Sequence, residues 1–320
     1  MTRDPFLGML LGAVALASVL PARGGVAEVL ERATAIAVAL LFFLHGAKLS
    51  REAIKAGIGH VRLHAFVFTL TFVVFPLVGL AVGPIARPLV GPTLYQGFLF
   101  LSALPATVQS ALVVTAIARG NIAAAVCSAS ASSILGIFLT PLLVRLLIAD
   151  AVHGPGGKTT LTSVRDIALQ LLLPFVIGHL SRPLWLRQIE RLRGVIKWVD
   201  QSVIVLIAYV AFSDAVNKDL WHLVPPASFA GIFVVSALIL AIMLVVSQRG
   251  ARLLGFDRAD EITIVFGGSK KSLTSGIAMA NVIFAGQPIG IIVLPLLVFH
   301  QFQLMVCTVL ARRWAKRADP

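Results

Sequence analysis

Apolar residues in this chain are collected into runs that are long enough to cross a lipid bilayer. A window of roughly 19 residues finds ten of them, at approximately 5–20, 29–47, 63–82, 94–118, 122–147, 164–180, 195–216, 227–246, 262–285 and 289–310. Charged residues make up 13% of the sequence, against about 25% in soluble domains. Runs of this length fit helices, which satisfy their own backbone hydrogen bonds in lipid. The sequence therefore predicts an all-α polytopic membrane protein with ten transmembrane helices.

The basic residues test this count, because Lys and Arg concentrate in short cytoplasmic loops. With a cytoplasmic N-terminus, 18 of the 27 Lys and Arg residues fall in inside loops and seven in outside loops. The other two, Lys270 and Lys271, lie within the ninth span. This distribution predicts that both termini are cytoplasmic. It also accounts for the net charge of +13 without nucleic acid as a partner, since the sequence lacks a basic groove with interleaved aromatic residues.

The N-terminal "MTRD" and the apolar run behind it have some features of a signal peptide. We expect the run to be the first span instead, because the chain offers no polar domain for a signal peptide to export. Cys127 and Cys307 fall inside predicted spans, where packed thiols are usual and disulfides are not. Two such cysteines make no metal site, and we expect no cofactor.

The chain divides at its longest polar connection, "ADAVHGPGGKTTLTS", at residues 149–163. Five spans precede this linker, in residues 1–148, and five follow it, in residues 164–320. Because five is odd, the second half starts from the opposite side of the membrane, which is the arrangement of an inverted repeat in secondary transporters. The sequence therefore predicts two inverted five-helix repeats.

Spans four and nine share a pattern that supports this repeat. "LSALPATVQSALVVTAIARGN" and "VFGGSKKSLTSGIAMANVIFAGQ" each place a helix-breaking element, Pro105 or Gly267 and Gly268, before small hydroxyl side chains. Paired breaks point to a binding site near the midplane, although such matches also arise by chance in a sequence rich in Leu, Val and Pro. The candidate site residues of these spans are Thr107, Gln109, Ser110, Asn121, Ser269, Lys270, Lys271, Ser272, Thr274, Ser275 and Asn281.

Lys270 and Lys271 are the least expected side chains in the ninth span. A lysine at the centre of a spanning helix costs about 2.5–3.5 kcal/mol on the insertion scale. Either both side chains extend towards the cytoplasmic interface, or one ammonium takes the place of a bound cation while the other attracts an anionic substrate. Adjacent helical residues point about 100° apart, so both lysines serve one site only if the backbone is unwound.

The stretches "LPATVQSALVVTAIARGN", "FGGSKKSLTSGIAMANVIF" and "LVFHQFQLMV" resemble the bile acid:sodium symporter family. Within it they are most similar to the divergent branch that holds solute carrier family ten, member seven, and its bacterial relatives. The resemblance covers essentially the whole chain. It implies a core domain in which discontinuous helices four and nine cross, packed against a panel domain of spans one, two, six and seven. It also implies secondary transport of a small organic anion by alternating access.

The sequence departs from the better-known members of that family, which bind sodium through a glutamate and a carboxamide in span nine and hydroxyls in span five. Here the matching stretch of span nine reads "FGGSKKS" and contains no carboxylate. Sodium coupling is therefore in doubt, and proton coupling stays open because a desolvated lysine can exchange its proton. The resemblance adds four candidates to the site, two from span five and two from "FHQFQ" in span ten: Ser128, Ser130, His300 and Gln301. A lone membrane histidine is more often a hydrogen bond between helices than a proton relay.

Other functional classes fit the sequence less well. It contains no H-E-x-x-H motif and no paired intramembrane aspartates, and Ser269 lacks an obvious partner base, which argues against an enzyme. A channel would need rings of charge or repeated carbonyl filters. A regulatory membrane protein that keeps the transporter fold without transporting stays the alternative. We expect a protein of the bacterial inner membrane whose partners are the lipid bilayer and a small organic anion; its oligomeric state stays open.

Overall fold

The computed structural model describes residues 5–48, 60–148, 161–217 and 224–316. The fold is 88% helical, and no strand occurs within these ranges. The prediction of an all-α protein is therefore confirmed for the described residues. The helices are α1 (Pro5–Val19), α2 (Gly24–Lys48), α3 (Val61–Ala81), α4 (Gly83–Val90), α5 (Pro92–Ala103), α6 (Gln109–Ile117), α7 (Ile122–Leu147), α8 (Leu161–Arg191), α9 (Arg193–Asn217), α10 (Pro226–Leu253), α11 (Arg258–Gly268), α12 (Leu273–Ile283) and α13 (Ile289–Ala315).

Five helices of the described chain are long and apolar enough to cross a membrane, judged by length and composition: α3, α7, α9, α10 and α13. They overlap the predicted spans three, five, seven, eight and ten. Spans one, two and six overlap α1, α2 and α8. Spans four and nine each overlap a pair of shorter helices, α5 with α6 and α11 with α12. The count of ten transmembrane helices in two inverted repeats stays a prediction.

The structure differs from the predicted segments at two places. The short helix α4 occupies part of the interval that the spans leave as a loop, and it ends at Gly91, whose φ of +81° favours glycine. The helix α8 begins at Leu161, so the last residues of the predicted linker 149–163 are helical. The rest of that linker lies outside the described residues.

The chain forms two compact units, each assembled from separate segments of the sequence. The first unit contains residues 1–50, 150–224 and 277–293, and the second contains residues 51–149, 225–276 and 294–320. Each unit thus combines segments from both halves of the sequence. The repeat boundaries predicted at 1–148 and 164–320 follow a different division of the chain and stay a prediction.

Helices α2 and α8 approach each other closely within the first unit. A Cβ atom added at Gly46 would lie 1.9 Å from the carbonyl oxygen of Phe175, and one added at Gly178 would lie 2.0 Å from that of Phe43. Small residues at such positions let the backbones of membrane helices touch. The two glycines therefore set the separation of these helices from both sides.

Polar contacts connect the helix α9 to other segments of the first unit. The hydroxyl of Tyr209 donates a hydrogen bond to the carbonyl of Leu20, 2.8 Å away. Asp200 forms an ion pair with Lys48 at the end of α2. These contacts attach α9 at two levels, next to the turn after α1 and next to the last turn of α2.

In the second unit, the end of α6 turns the chain towards α11. Arg119 adopts a left-handed conformation with φ of +62°, and the N–H of Gly120 donates to the carbonyl of Thr115 at 2.8 Å. This is the hydrogen bond that closes a helix C-terminus. Glycine is needed at 120 because a Cβ atom there would lie 2.6 Å from Ile262 Cγ2. The turn therefore packs directly against the beginning of α11.

Candidate functional site

A proline causes the first break, which separates α5 from α6. Pro105 has no backbone N–H, and its ring disfavours the helical conformation in the residue before it. Leu104 is accordingly extended, with φ of −73° and ψ of 154°, and the helix resumes only at Gln109. Leu104 is fully buried. The break therefore leaves free backbone groups inside the second unit, where they need partners from the protein.

The second break separates α11 from α12 and follows two consecutive glycines. Gly267 and Gly268 are the last two residues of α11, so the helix ends at the predicted glycine pair and the break begins one residue later. Gly268 is also needed for packing, because a Cβ atom there would lie 2.7 Å from Leu70 Cδ1. The break runs from Ser269 to Ser272. The hydroxyl of Ser269 donates back into α11, and that of Ser272 caps the first turn of α12.

Side chains of α7 satisfy part of the first break. The hydroxyl of Thr140 donates to the carbonyl of Ala103 at 2.8 Å. The hydroxyl oxygen of Ser132 accepts the N–H of Ala106 at 3.0 Å. All four residues are buried. These are hydroxyls that the sequence analysis did not select, and they act on the backbone of the protein itself.

The two breaks also contact each other directly. The N–H of Ser272 donates to the carbonyl of Pro105 at 3.0 Å. The side chain of Lys271 reaches the end of α5, where its Nζ donates to the carbonyls of Ser102 at 2.8 Å and of Leu104 at 2.6 Å. The first break thus contributes acceptors, and the second break contributes donors.

A third acceptor for Lys271 comes from α3. Its Nζ donates to the carbonyl of Thr71 at 2.9 Å and lies 4.2 Å from the centre of the Phe75 ring. This carbonyl is free for a local reason. Residues 70–74 form a π-helical turn in which the N–H of Phe75 bonds to Leu70, and the next residue, Pro76, has no N–H that could continue the pattern to Thr71.

The buried glutamine of α13 holds the backbone of Lys271 in place. The side chain of Gln303 accepts the N–H of Lys271 at 3.0 Å and donates to its carbonyl at 2.9 Å. The amide nitrogen of Gln303 also lies 2.9 Å from His300 Nδ1. His300 therefore contacts Gln303 within α13, and its role as a hydrogen bond between helices stays a prediction.

Lys270 is as deeply buried as Lys271, at 0% exposure for both residues, so neither side chain extends to the surface. Among the described residues, the Nζ of Lys270 has no hydrogen-bond partner. Cys307 and His300 lie close enough to interact with it electrostatically. Within the same ranges, neither lysine forms an ion pair with a carboxylate. No acidic side chain of the described chain therefore pairs with either of these two buried amino groups.

The remaining candidates of the first break bond locally or to α11. The hydroxyl of Ser110 donates to that of Thr107 at 3.4 Å. Asn121 caps α7 by accepting the N–H of Ala124 at 3.0 Å, and its amide donates to Asp260 at 2.9 Å. Asn121 thus joins the start of α7 to the first turn of α11, and its side-chain polar atoms are already in use.

Ser128 is the other candidate for which the structure gives a partner. Its hydroxyl lies 2.6 Å from Nδ1 of His64, on α3, and both residues are buried. His64 was not selected from the sequence, although a histidine near the start of a predicted span was the available signal. The pair connects α3 to α7.

Within the second unit, none of the remaining candidates hydrogen bonds to Lys271 in the described structure, and Asn281 belongs to the first unit. Four are half-buried and make no polar side-chain contact in the described part of the chain: Ser130, Thr274, Asn281 and Gln301. Ser275 hydrogen bonds only with Ser272. Gln109 is the first residue of α6, and its side chain lies outside the described atoms.

The main ligands of Lys271 were absent from the sequence-based selection because they are backbone carbonyls. A side-chain pattern carries no information about Thr71, Ser102 or Leu104 as acceptors. The available signal was the position of two prolines, Pro76 and Pro105, each of which removes an N–H from an otherwise continuous apolar helix.

Comparison with known proteins identifies the family of this chain. A family model described as the SBF-like CPA transporter family matches residues 4–316. An uncharacterized protein of Pseudomonas aeruginosa is 54% identical over 318 residues, which cover 99% of this chain and 94% of that protein. YfeH of Escherichia coli, provisionally described as a symporter, is 56% identical over 317 residues, with 99% and 94% covered. Sodium/bile acid cotransporter 7 of Danio rerio is 30% identical over 283 residues, with 87% and 82% covered. The resemblance seen in the sequence is thereby confirmed, and the chain belongs to the SBF-like transporter family of integral membrane proteins.

Proposed function

We propose that this protein is a secondary active transporter that carries a small organic anion across the bacterial inner membrane by alternating access. One observation carries the proposal: two broken helices meet in the second unit, where Lys271 and Ser272 of one break bind backbone carbonyls of the other. Broken helices of this kind form the substrate and ion sites of many secondary transporters. Membership of a transporter family excludes the enzyme class and supports this reading.

The charge of the buried region supports an anion as the substrate. Lys270 and Lys271 bring two ammonium groups into the second unit, and only Lys271 has acceptors in the described structure. A buried charge without a partner is costly. An anionic substrate next to Lys270 would offset that cost, and its arrival would require the region to open.

We further propose that transport does not use sodium at the broken helices. The Lys271 ammonium already lies among the carbonyls that a cation would need. The names of the vertebrate relatives include sodium and bile acid, so sodium stays the alternative to be tested, beside protons and uncoupled transport.

Two further observations support alternating access between two domains and a location in the bacterial inner membrane. The first unit holds α1, α2, α8 and α9, the segments expected for a panel domain, together with residues 277–293, and the second unit holds both breaks, which supports a core domain built around them. The bacterial relatives and the excess of Lys and Arg in inside loops support an inner-membrane protein with both termini cytoplasmic.

Uptake into liposomes tests the proposal. Purified protein is reconstituted, and uptake of labelled taurocholate, benzoate and pyruvate is measured under an inward sodium gradient, under an inward proton gradient, and under neither. We expect saturable uptake of at least one anion, with a rate that is unchanged when choline replaces sodium. Lys270→Gln should abolish this uptake, whereas Ser133→Ala, whose hydroxyl bonds only within α7, should retain it.

Two results would contradict the proposal. Uptake of a neutral sugar or an organic cation in preference to every anion would contradict the proposal that Lys270 selects an anionic substrate. Ligand-induced thermal stabilisation without uptake under any gradient would favour the alternative, a regulatory membrane protein that retains the transporter fold.

A further inference from the structure

We infer that the carbonyls of Thr71, Ser102 and Leu104 form a monovalent-cation site, which the ammonium of Lys271 occupies as a cation tethered to the chain. Removal of that side chain should convert the position into a site for free sodium or a small alkylammonium. The inference deepens the proposed function, because it explains why transport would not need sodium there. It concerns binding alone and can be tested without transport.

The geometry around Nζ matches a protonated amine. The three carbonyl oxygens lie 2.9, 2.8 and 2.6 Å from Nζ, so each of the three N–H groups of an ammonium has one acceptor. A neutral amine has only two N–H groups and a lone pair, which would face the third carbonyl oxygen. The arrangement therefore favours the positive charge at this position.

The acceptors are held in place by features that do not depend on the lysine. The carbonyl of Thr71 is freed by the π-helical turn at 70–74 and by Pro76. The carbonyls of Ser102 and Leu104 are freed because Pro105 interrupts the helix. Because each cause lies in the backbone of another segment, the three oxygens should keep their positions when the side chain of residue 271 is shortened.

The surroundings of these oxygens favour a cation over a neutral donor. Ser102 and Leu104 lie at the C-terminal end of α5, where the helix dipole contributes partial negative charge. The ring of Phe75 presents its face to Nζ, with the ring centre 4.2 Å away. Clusters of backbone carbonyls are also the groups that replace the hydration shell of alkali-metal ions in ion-selective channels.

Lys270 provides a matched control. It is the neighbouring residue, has the same side chain and is equally buried, yet its Nζ contacts none of these carbonyls. A general effect of removing a buried lysine should appear in both Ala variants. An effect of emptying the carbonyl site should appear only in Lys271→Ala.

The test measures thermal unfolding of the purified full-length protein in detergent for the wild type, Lys271→Ala and Lys270→Ala. Each is titrated with the chlorides of sodium, potassium and methylammonium at constant ionic strength, with choline as the bulky reference cation. We expect Lys271→Ala alone to gain stability with sodium and methylammonium. A ligand that binds only the folded state adds RT ln(1 + [L]/Kd), so each tenfold rise in concentration above Kd corresponds to about 1.4 kcal/mol.

Three results would overturn the inference: a sodium-specific rise in the wild type, an equal response of both variants, or no response of Lys271→Ala to any cation. If Lys271→Ala does not survive purification in choline, it is purified in methylammonium and then exchanged. Folded protein that persists in sodium but is lost in choline supports the site, and loss in both cations refutes it. Failure of anion uptake would refute the proposed function and leave these binding results as they are.

Discussion

The two helix breaks look alike in sequence but have opposite roles in the structure. The break after α5 contributes acceptors, namely the carbonyls of Ser102, Leu104 and Pro105. The break after α11 contributes donors, the ammonium of Lys271 and the N–H of Ser272. Each break therefore supplies what the other one lacks. Irregular backbone is tolerated at membrane depth when protein groups satisfy it, and here much of that satisfaction comes from the other break.

Because the two breaks have different roles, the small hydroxyl residues that they share need another interpretation than ligand binding. Thr107, Ser110, Ser272 and Ser275 mostly bond to one another within their own segment. They shape the local backbone, whereas the contact between the breaks uses main-chain groups and one lysine. A repeat of small polar residues can thus mark where helices break without marking ligands.

The largest expected effect comes from removing the donor at the centre of this contact. Lys271→Met keeps the length of the side chain and leaves three buried carbonyls without a partner. Unpaired buried groups cost about 1–3 kcal/mol each, so we expect the free energy of unfolding to fall by about 3 kcal/mol or more, measured by thermal unfolding in detergent. Lys270→Met should raise the free energy of unfolding or leave it unchanged, because it removes a buried amino group that has no acceptor in the described structure. Equal losses in both variants would mean that the contrast between the lysines is wrong.

A smaller effect is expected for the side chain that holds the second break. Gln303→Leu removes the amide that pairs with both backbone groups of Lys271. We expect a loss of about 2 kcal/mol in unfolding free energy, and a weaker response of the Lys271→Ala, Gln303→Leu double variant to sodium, because the site loses its alignment. Gln301→Leu serves as the control, since Gln301 makes no polar contact in the described ranges. If Gln303→Leu leaves the free energy of unfolding unchanged, the second break keeps its conformation without the hydrogen bonds from α13.

The smallest effect is expected at the support of the first break. Ser132→Ala leaves the buried N–H of Ala106 without its acceptor, and we expect a loss of about 1–2 kcal/mol. Ser133→Ala should change stability by less than about 0.5 kcal/mol, because that hydroxyl bonds only within its own helix. Chemical unfolding of both variants in the same detergent checks the difference. If Ser132→Ala is neutral, water or a shifted backbone replaces the serine, and the first break is less rigid than the contacts indicate.

The helical membrane character, the approximate positions of the long apolar helices and the two lysines in an apolar segment could be predicted from composition and run lengths. Composition and the run lengths that a bilayer requires are local properties. Pro105 also located the first break, because a missing N–H acts wherever the helix is placed. The second break begins one residue after the predicted glycine pair, since Gly267 and Gly268 end α11 and Gly268 serves close packing with α3.

The atoms that surround each lysine could not be predicted without the fold. The acceptors of Lys271 come from residues 71, 102 and 104, which are far away in the sequence and bond through backbone oxygens that every residue possesses. No side-chain pattern distinguishes a free carbonyl from one that is used within a helix. That distinction depends on which N–H groups are missing in one segment and which donor another segment brings to it, and folding alone brings the two together.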